Sequence, residues 1–274
     1  MKFTTTLLSV IALGASSVLA TALPEGVTLV PRRPSMNVRR SARKTNPRLP
    51  VSDTLDIQGT KNSSHVQYSS NWAGAVLIGS GYKSVRGTIT VPTPQMPPGG
   101  SSGTQYAASA WVGLDGDTCQ TAILQTGVDF YVQGTSVSFD AWYEWYPDYA
   151  YTFSGFAISA GDSITMTATA TSTSSGSVTI VNNTKGKSVT HSFSGESADL
   201  CETNAEWIVE DFEENGSLVP FADFGTVTFT GCQVTTTSGG TLTASGATIL
   251  DIQQNGQVLT DCSDSGSSVT CTYV

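Results

Sequence analysis

The sequence predicts an all-β domain, an antiparallel two-sheet sandwich of the jelly-roll kind, on three observations. Short runs of apolar/polar alternation recur along most of its length, turn-forming pairs stand between them, and no window carries a long stripe of 3.6-residue period. Residues 163–170, SITMTATA, set out the pattern. Ile164, Met166, Ala168 and Ala170 share one face, and Ser163, Thr165, Thr167 and Thr169 share the other. Runs of the same kind occupy 84–91, 106–113, 177–181, 187–193, 226–236, 247–253 and 267–274. Between them stand Asn182-Asn183, Lys185-Gly186, Gly239-Gly240 and Asn255-Gly256, and Asn-Gly between two such runs is a strong hairpin signal. Strands that are apolar on one side bury it by stacking two sheets face to face. No internal repeat is visible, and TPQMPPGGSSGTQ (93–105) is a low-complexity loop.

The ends differ from this pattern. MKFTTTLLSVIALGASSVLA (1–20) has one early lysine, an apolar middle and a small-residue exit at Ala20, which reads as a secretory signal peptide. No later stretch is long and apolar enough to span a bilayer. Residues 21–60 hold Arg32, Arg33, Arg39, Arg40, Arg43, Lys44 and Arg48 among five prolines. Residues 1–60 contain eight basic and three acidic residues, net +5. Residues 61–274 contain five basic and nineteen acidic, net −14. A basic segment ahead of a strongly acidic domain in a secreted chain reads as an intramolecular propeptide, ending between 50 and 69, that blocks the domain's groove. Carboxylates paired with its arginines are expected to titrate low, so that acid loosens the contact. A −14 surface repels phosphates, so nucleic acid is not a partner. The scarcity of lysine and arginine suits acid surroundings. The domain from 61 to 274 is long enough for one core and is expected as a monomer.

Five cysteines in a secreted chain imply disulfides with one left over. Cys262 and Cys271 flank CSDSGSSVTC, whose central turn brings its ends together, so they are paired. Spacing alone leaves the partner of Cys232 open.

Chemistry concentrates in WVGLDGDTCQTAILQTG (111–127) and NAEWIVEDFEE (204–214). Glu210 sits among apolar neighbours, which disfavour its charged form and suit it to both accept and donate a proton. In a strand it shares a face with Ile208 and Phe212. Gln125 follows an apolar run. A neutral amide there offers an N–H to a developing oxyanion without neutralising a nearby carboxylate. SSNWAGAVL (69–77) supplies Trp72, and WVGLDGD places Trp111 and Asp115 on one strand face. DAWYEWYPDY (140–149) aligns Asp140, Trp142, Glu144 and Tyr146. Such a groove would grip an extended polypeptide. Other signatures fail on context. Asp264-Ser265-Gly266 occurs once and lies within the expected disulfide hairpin. Gly99–Gly103 matches G-x-S-x-G only in letters. Two histidines, His65 and His191, make no HExxH zinc site. Asn62, Asn182 and Asn215 begin N-x-S/T sequons.

In these four segments the chain resembles the eqolisins, the secreted fungal glutamic peptidases, from about Ser70 to Val274. The resemblance implies a concanavalin-like sandwich with a concave face, and an acid endopeptidase with no metal or cofactor. It implies Glu210 as general base and acid on water and Gln125 as oxyanion stabiliser, flanked by Trp72, Trp111, Asp115 and Glu144. It also pairs Cys119 with Cys201, which leaves Cys232 free and buried. Some relatives carry an extra cysteine pair after the catalytic glutamate. EENGSLVPF (213–221) has none, which implies a looser loop. The alternative is a jelly-roll glycoside hydrolase or carbohydrate-binding module, where Glu144 would be the second carboxyl.

Overall fold

The computed structural model describes residues 43–51 and 66–274. The leader at 1–20 and the rest of the basic segment lie outside the described residues. In chain order the first strands are β1 (Val66–Ser69), β2 (Trp72–Ile78), β3 (Tyr82–Thr90), β4 (Gln105–Leu114), β5 (Ile123–Gln133), β6 (Ser136–Tyr146) and β7 (Tyr151–Thr152). They continue as β8 (Ser163–Ser172), β9 (Ser175–Asn182), β10 (Lys187–Ser194), β11 (Asn204–Glu210), β12 (Glu213–Glu214) and β13 (Ser217–Leu218). Last come β14 (Thr226–Thr236), β15 (Thr241–Leu242), β16 (Thr248–Gln254), β17 (Gln257–Val258), β18 (Thr260–Ser265) and β19 (Ser268–Tyr273). No helix occurs among the described residues.

One sheet runs β1-β16-β2-β11-β4-β5-β6-β7, with β17 beside β16. The other runs β10-β9-β8-β3-β14-β19-β18, with β15 beside β14. The chain crosses between sheets from β2 to β3 and back from β3 to β4, as a sandwich requires. Among the strand pairs only β1 and β16 run parallel. The core between the sheets takes Val85, Ile89, Met166, Ile180 and Phe229 from one side and Ala110, Val112, Val128, Trp145 and Trp207 from the other. Burying each of the larger of these side chains contributes about 1.5–3 kcal/mol. Trp207 also donates its indole N–H to the Arg86 carbonyl at 2.8 Å, which satisfies the one polar atom it takes inside.

Turn chemistry fixes the register. Asn255 and Gly256 both take positive φ, 51° and 77°, the left-handed pair that a tight β16–β17 hairpin demands. Disulfides join Cys119 to Cys201 and Cys262 to Cys271, and Cys232 is free and buried. Asp264-Ser265-Gly266 ends β18 and enters the Gly266-Ser267 turn of the β18–β19 hairpin. Of the sequons, Asn215 is exposed at a turn. Asn182 is buried, with its amide donating to Asp162 at 2.8 Å, so the folded chain offers no glycan acceptor there. The cysteine-free segment after Glu210 is not a loose loop. It folds as the β12–β13 hairpin.

Candidate active-site groove

β2, β11, β4, β5 and β6 lie side by side, and every second residue of each strand points away from the core. The register sorts these residues into three rows across the sheet. The first row is Trp72, Glu210, Ser109, Asp129 and Asp140. The second is Gly74, Ile208, Trp111, Gly127 and Trp142. The third is Val76, Glu206, Gly113, Gln125 and Glu144. Trp72, Trp111 and Trp142 join Val76, Ile123, Ile208 and Leu250 in a second apolar cluster, separate from the sandwich core. Trp72 meets Trp111 edge to face at 5.0 Å. Gly127 makes room for this cluster. A Cβ there would come within 2.5 Å of the Trp111 Cβ and 2.7 Å of the Trp142 ring. β5 is therefore buried on both faces, and its sequence alternates less cleanly than that of β8.

Polar groups sit inside this apolar floor. Glu210, Gln125, Glu144 and Glu206 are all fully buried. Glu210 Oε2 accepts the Trp111 indole N–H at 2.9 Å, and its Oε1 has no hydrogen-bond partner. Neither amide atom of Gln125 has one. Glu144 Oε2 accepts the Thr45 backbone N–H at 3.2 Å, and its Oε1 is unpartnered. Burial holds the Glu144 carboxyl up at about 8, against the opposing pull of the Arg43 guanidinium and Thr45. Burial likewise raises Glu210 well above the ordinary range. Arg43, the Trp111 N–H and the Thr45 hydroxyl oppose it, and the neighbouring Glu144 adds to it. The Thr45 hydroxyl accepts Arg43 Nη1 at 3.4 Å.

Residues 43–51 cross this groove as an extended strap. Arg43 is its anchor, with the guanidinium buried against Asp129 at 2.6 and 2.7 Å, within 3.3 Å of the Ser109 hydroxyl and 3.9 Å from Glu144. The same group lies over the rings of Trp142 and Phe212, 4.2 and 4.4 Å from their centroids. Lys44 bridges Glu213 of β12 through both backbone groups. The Trp72 indole donates to the Asn46 carbonyl at 3.0 Å. Asn71 clamps the next turn, donating to the Pro47 carbonyl and accepting the Leu49 N–H. Arg48 pairs with Asp117 at 3.0 Å.

Gln125 and Glu210 lie on one face, but they are not register neighbours. Their rows stand four residues apart along the strands, and Glu144, directly beside Gln125, is the residue coupled electrostatically to Glu210. Trp72, Trp111 and Glu144 all line the groove, and Asp140 sits at the half-buried end of the first row. Asp115 stands one residue beyond the end of the Trp111 strand, near enough to Glu206 to raise its pKa. β4 ends at Leu114, and Asp115 takes a left-handed φ of 69°. Its carboxylate accepts the backbone N–H groups of Cys201, Glu202, Thr203 and Asn204 at 2.8–3.1 Å, so it ties down the disulfide-bearing approach to β11. The expectation that acids paired with the basic segment titrate low fails at Glu144, where burial outweighs Arg43. Sequence reasoning passed over Glu206, Asp129, Ser109 and Asn71. The first two stand four residues from Glu210 and Gln125, a spacing that places them on the same strand face. His191 lies on β10 in the other sheet, stacked on Tyr143, away from any serine–aspartate pair in the groove.

Residues 70–273 match the Peptidase A4 family. The chain is 53% identical over 293 aligned residues to aspergillopepsin-2 of Aspergillus niger and 46% identical over 282 to scytalidopepsin B of Scytalidium lignicola, in both cases across the whole of each chain. Its fold is similar to that of scytalido-glutamic peptidase solved with a transition state analog inhibitor, at TM-score 0.69 and 52% identity, covering 75% of this chain and 98% of that one. It is also similar to aspergilloglutamic peptidase from Aspergillus niger, at TM-score 0.59 and 66% identity, covering 62% and 99%.

Proposed function

The chain belongs to the Peptidase A4 family, the eqolisin glutamic peptidases, and from that premise we propose a secreted acid endopeptidase in which Glu210 and Gln125 carry the chemistry. The observation that carries the assignment is the set of unpartnered polar atoms on the groove floor: Glu210 Oε1 and both amide atoms of Gln125, buried beneath a strap of polypeptide. Buried polar atoms without partners cost free energy, and a substrate carbonyl and a water would satisfy them.

In the proposed mechanism a water attacks the scissile carbonyl carbon while Glu210 takes its proton. The carbonyl oxygen becomes an oxyanion, held by the Gln125 N–H. As the C–N bond breaks, Glu210 passes the proton to the leaving nitrogen. The raised pKa of Glu210 suits the second step. Burial is its largest cause, while Arg43 and Thr45 of the strap favour the ionised form that the first step needs. The strap lies across the acids as an extended peptide would, and we read it as the end of an inhibitory propeptide. The test is direct. Glu210→Gln and Gln125→Ala should each lower turnover by roughly 10²–10³ on a denatured protein at acid pH while the variants stay folded. A folded Glu210→Gln enzyme at near wild-type rate would end the assignment.

A further inference from the structure

Glu206 is an acid on the groove floor with no part in this scheme. Its side chain is fully buried, and neither carboxyl oxygen has a hydrogen-bond partner. It stands in the third row with Gln125, with only Gly113 between them. The Glu206 carboxyl leans over that glycine, toward the Gln125 strand. A Cβ on Gly113 would sit 3.0 Å from Glu206 Oε1 and 3.2 Å from Gln125 Cβ, and 2.8 Å from the Trp111 ring. The absence of a side chain at 113 therefore makes room for the Trp111 ring edge and the Glu206 carboxyl, with Gln125 on the next strand.

Gln125 needs such a partner. A primary amide turned by half a rotation presents oxygen where its N–H should be, and an oxygen facing a developing oxyanion repels it. Something must hold Oε1 away from the groove, and only a donor does that. Glu206 is suited to donate. Burial raises it well above the ordinary carboxylate range, and Asp115 and Asp117 add to the rise. Arg48 is engaged with Asp117. On the far side of Gln125 stands Glu144, raised by burial to about 8, whose Oε2 accepts the Thr45 backbone N–H while its Oε1 is unpartnered.

We propose that Glu206 is a positioning residue for Gln125, donating its carboxyl O–H across Gly113 to the Gln125 Oε1 through one bridging water, so that the amide N–H faces the substrate. The inference rests on Gln125 being the oxyanion donor. Glu206 touches no reacting atom, so its effect falls on turnover rather than on substrate binding.

The test compares Glu206→Leu, Glu206→Gln and Gln125→Ala in the full chain after acid activation. Glu206→Leu removes a buried, unpartnered carboxyl, so the melting temperature should hold or rise. Its kcat should nevertheless fall at least about tenfold with KM little changed, as a misplaced catalytic group does. Glu206→Gln keeps an N–H donor at the same place and should retain kcat within about threefold of the parent, which is the expected rescue. In a Gln125→Ala background, Glu206→Leu should cost nothing further. A stable Glu206→Leu enzyme with parental kcat would overturn the inference. So would a Glu206→Gln enzyme as slow as Gln125→Ala, which decides the matter even if the leucine variant does not fold. An active Gln125→Ala enzyme would instead sink the catalytic pair, a different and separable failure.

Discussion

At the residue scale, position on a strand face separates groups that do chemistry from groups that hold the frame. Glu210 and Gln125 face the groove with open hydrogen-bonding capacity, whereas Asp115 spends its carboxylate on four backbone N–H groups of residues 201–204. Removing it strands those donors in a largely buried site, so Asp115→Ala should cost about 3 kcal/mol or more, measured by urea unfolding at acid pH. An unchanged midpoint would mean that the clamp carries no weight. The sequence could place Glu210 and Gln125 because the resemblance marks those positions, and the groove aromatics because strand alternation assigns them a face. It could not place Asp115. The strand ends one residue earlier, in a left-handed conformation that alternation does not register. Glu206 was legible in principle, four residues before Glu210, but its meaning depends on Gly113, and a glycine between two polar side chains shows only when strands are set side by side.

At the element scale, the hairpins were readable from turn pairs, as Asn255-Gly256 shows, while the order of strands across the sheets was not. β11 lies between β2 and β4, partners far from it in sequence, and nothing local in NAEWIVE names them. The strap is the same case. Its arginines announced a basic segment that meets an acidic domain, but no pattern singled out Arg43 as the residue buried between Asp129, Trp142 and Phe212. That burial makes a prediction for the element. A buried charge pair broken by removal of one partner leaves the other uncompensated and costs about 3–5 kcal/mol. Arg43→Ala should therefore loosen the strap and let the groove bind substrate at a pH where the intact chain is closed. The measurement is capture of a fluorescent peptide by the full chain near pH 6. Equal capture by parent and variant would mean that Arg43 does not hold the strap in place.

At the scale of the whole molecule, the acids that matter are buried, and this sets how stability depends on pH. Burial raises Glu206 and Glu210 well above the ordinary range, holds Glu144 at about 8 and Asp211 at about 7. Each folded-state pKa lies above its unfolded value. The folded chain therefore keeps protons that the unfolded chain has given up. Stability from these groups is fully present below about pH 4, and is lost as pH rises through the folded values, at most about 1.4 kcal/mol per unit for each group within its window. Asp162 has the opposite sign. Burial pushes it up, but Lys185, Asn182 and the Ser159 N–H outweigh that and lower it, so its contribution is lost only as pH falls below the ordinary carboxylate range. The two windows barely overlap, and the full chain should be most stable near pH 4. Melting temperature should decline from there to pH 8. Glu206→Gln, which cannot ionise, should flatten part of that decline while leaving the value at pH 4 nearly unchanged. The Arg43–Asp129 and Arg48–Asp117 pairs hold the strap by charge, and salt should weaken the less buried Arg48–Asp117 contact without removing the slope. A melting temperature that climbs steadily from pH 4 to pH 8 would mean that the neutral acids of the groove floor do not govern the balance.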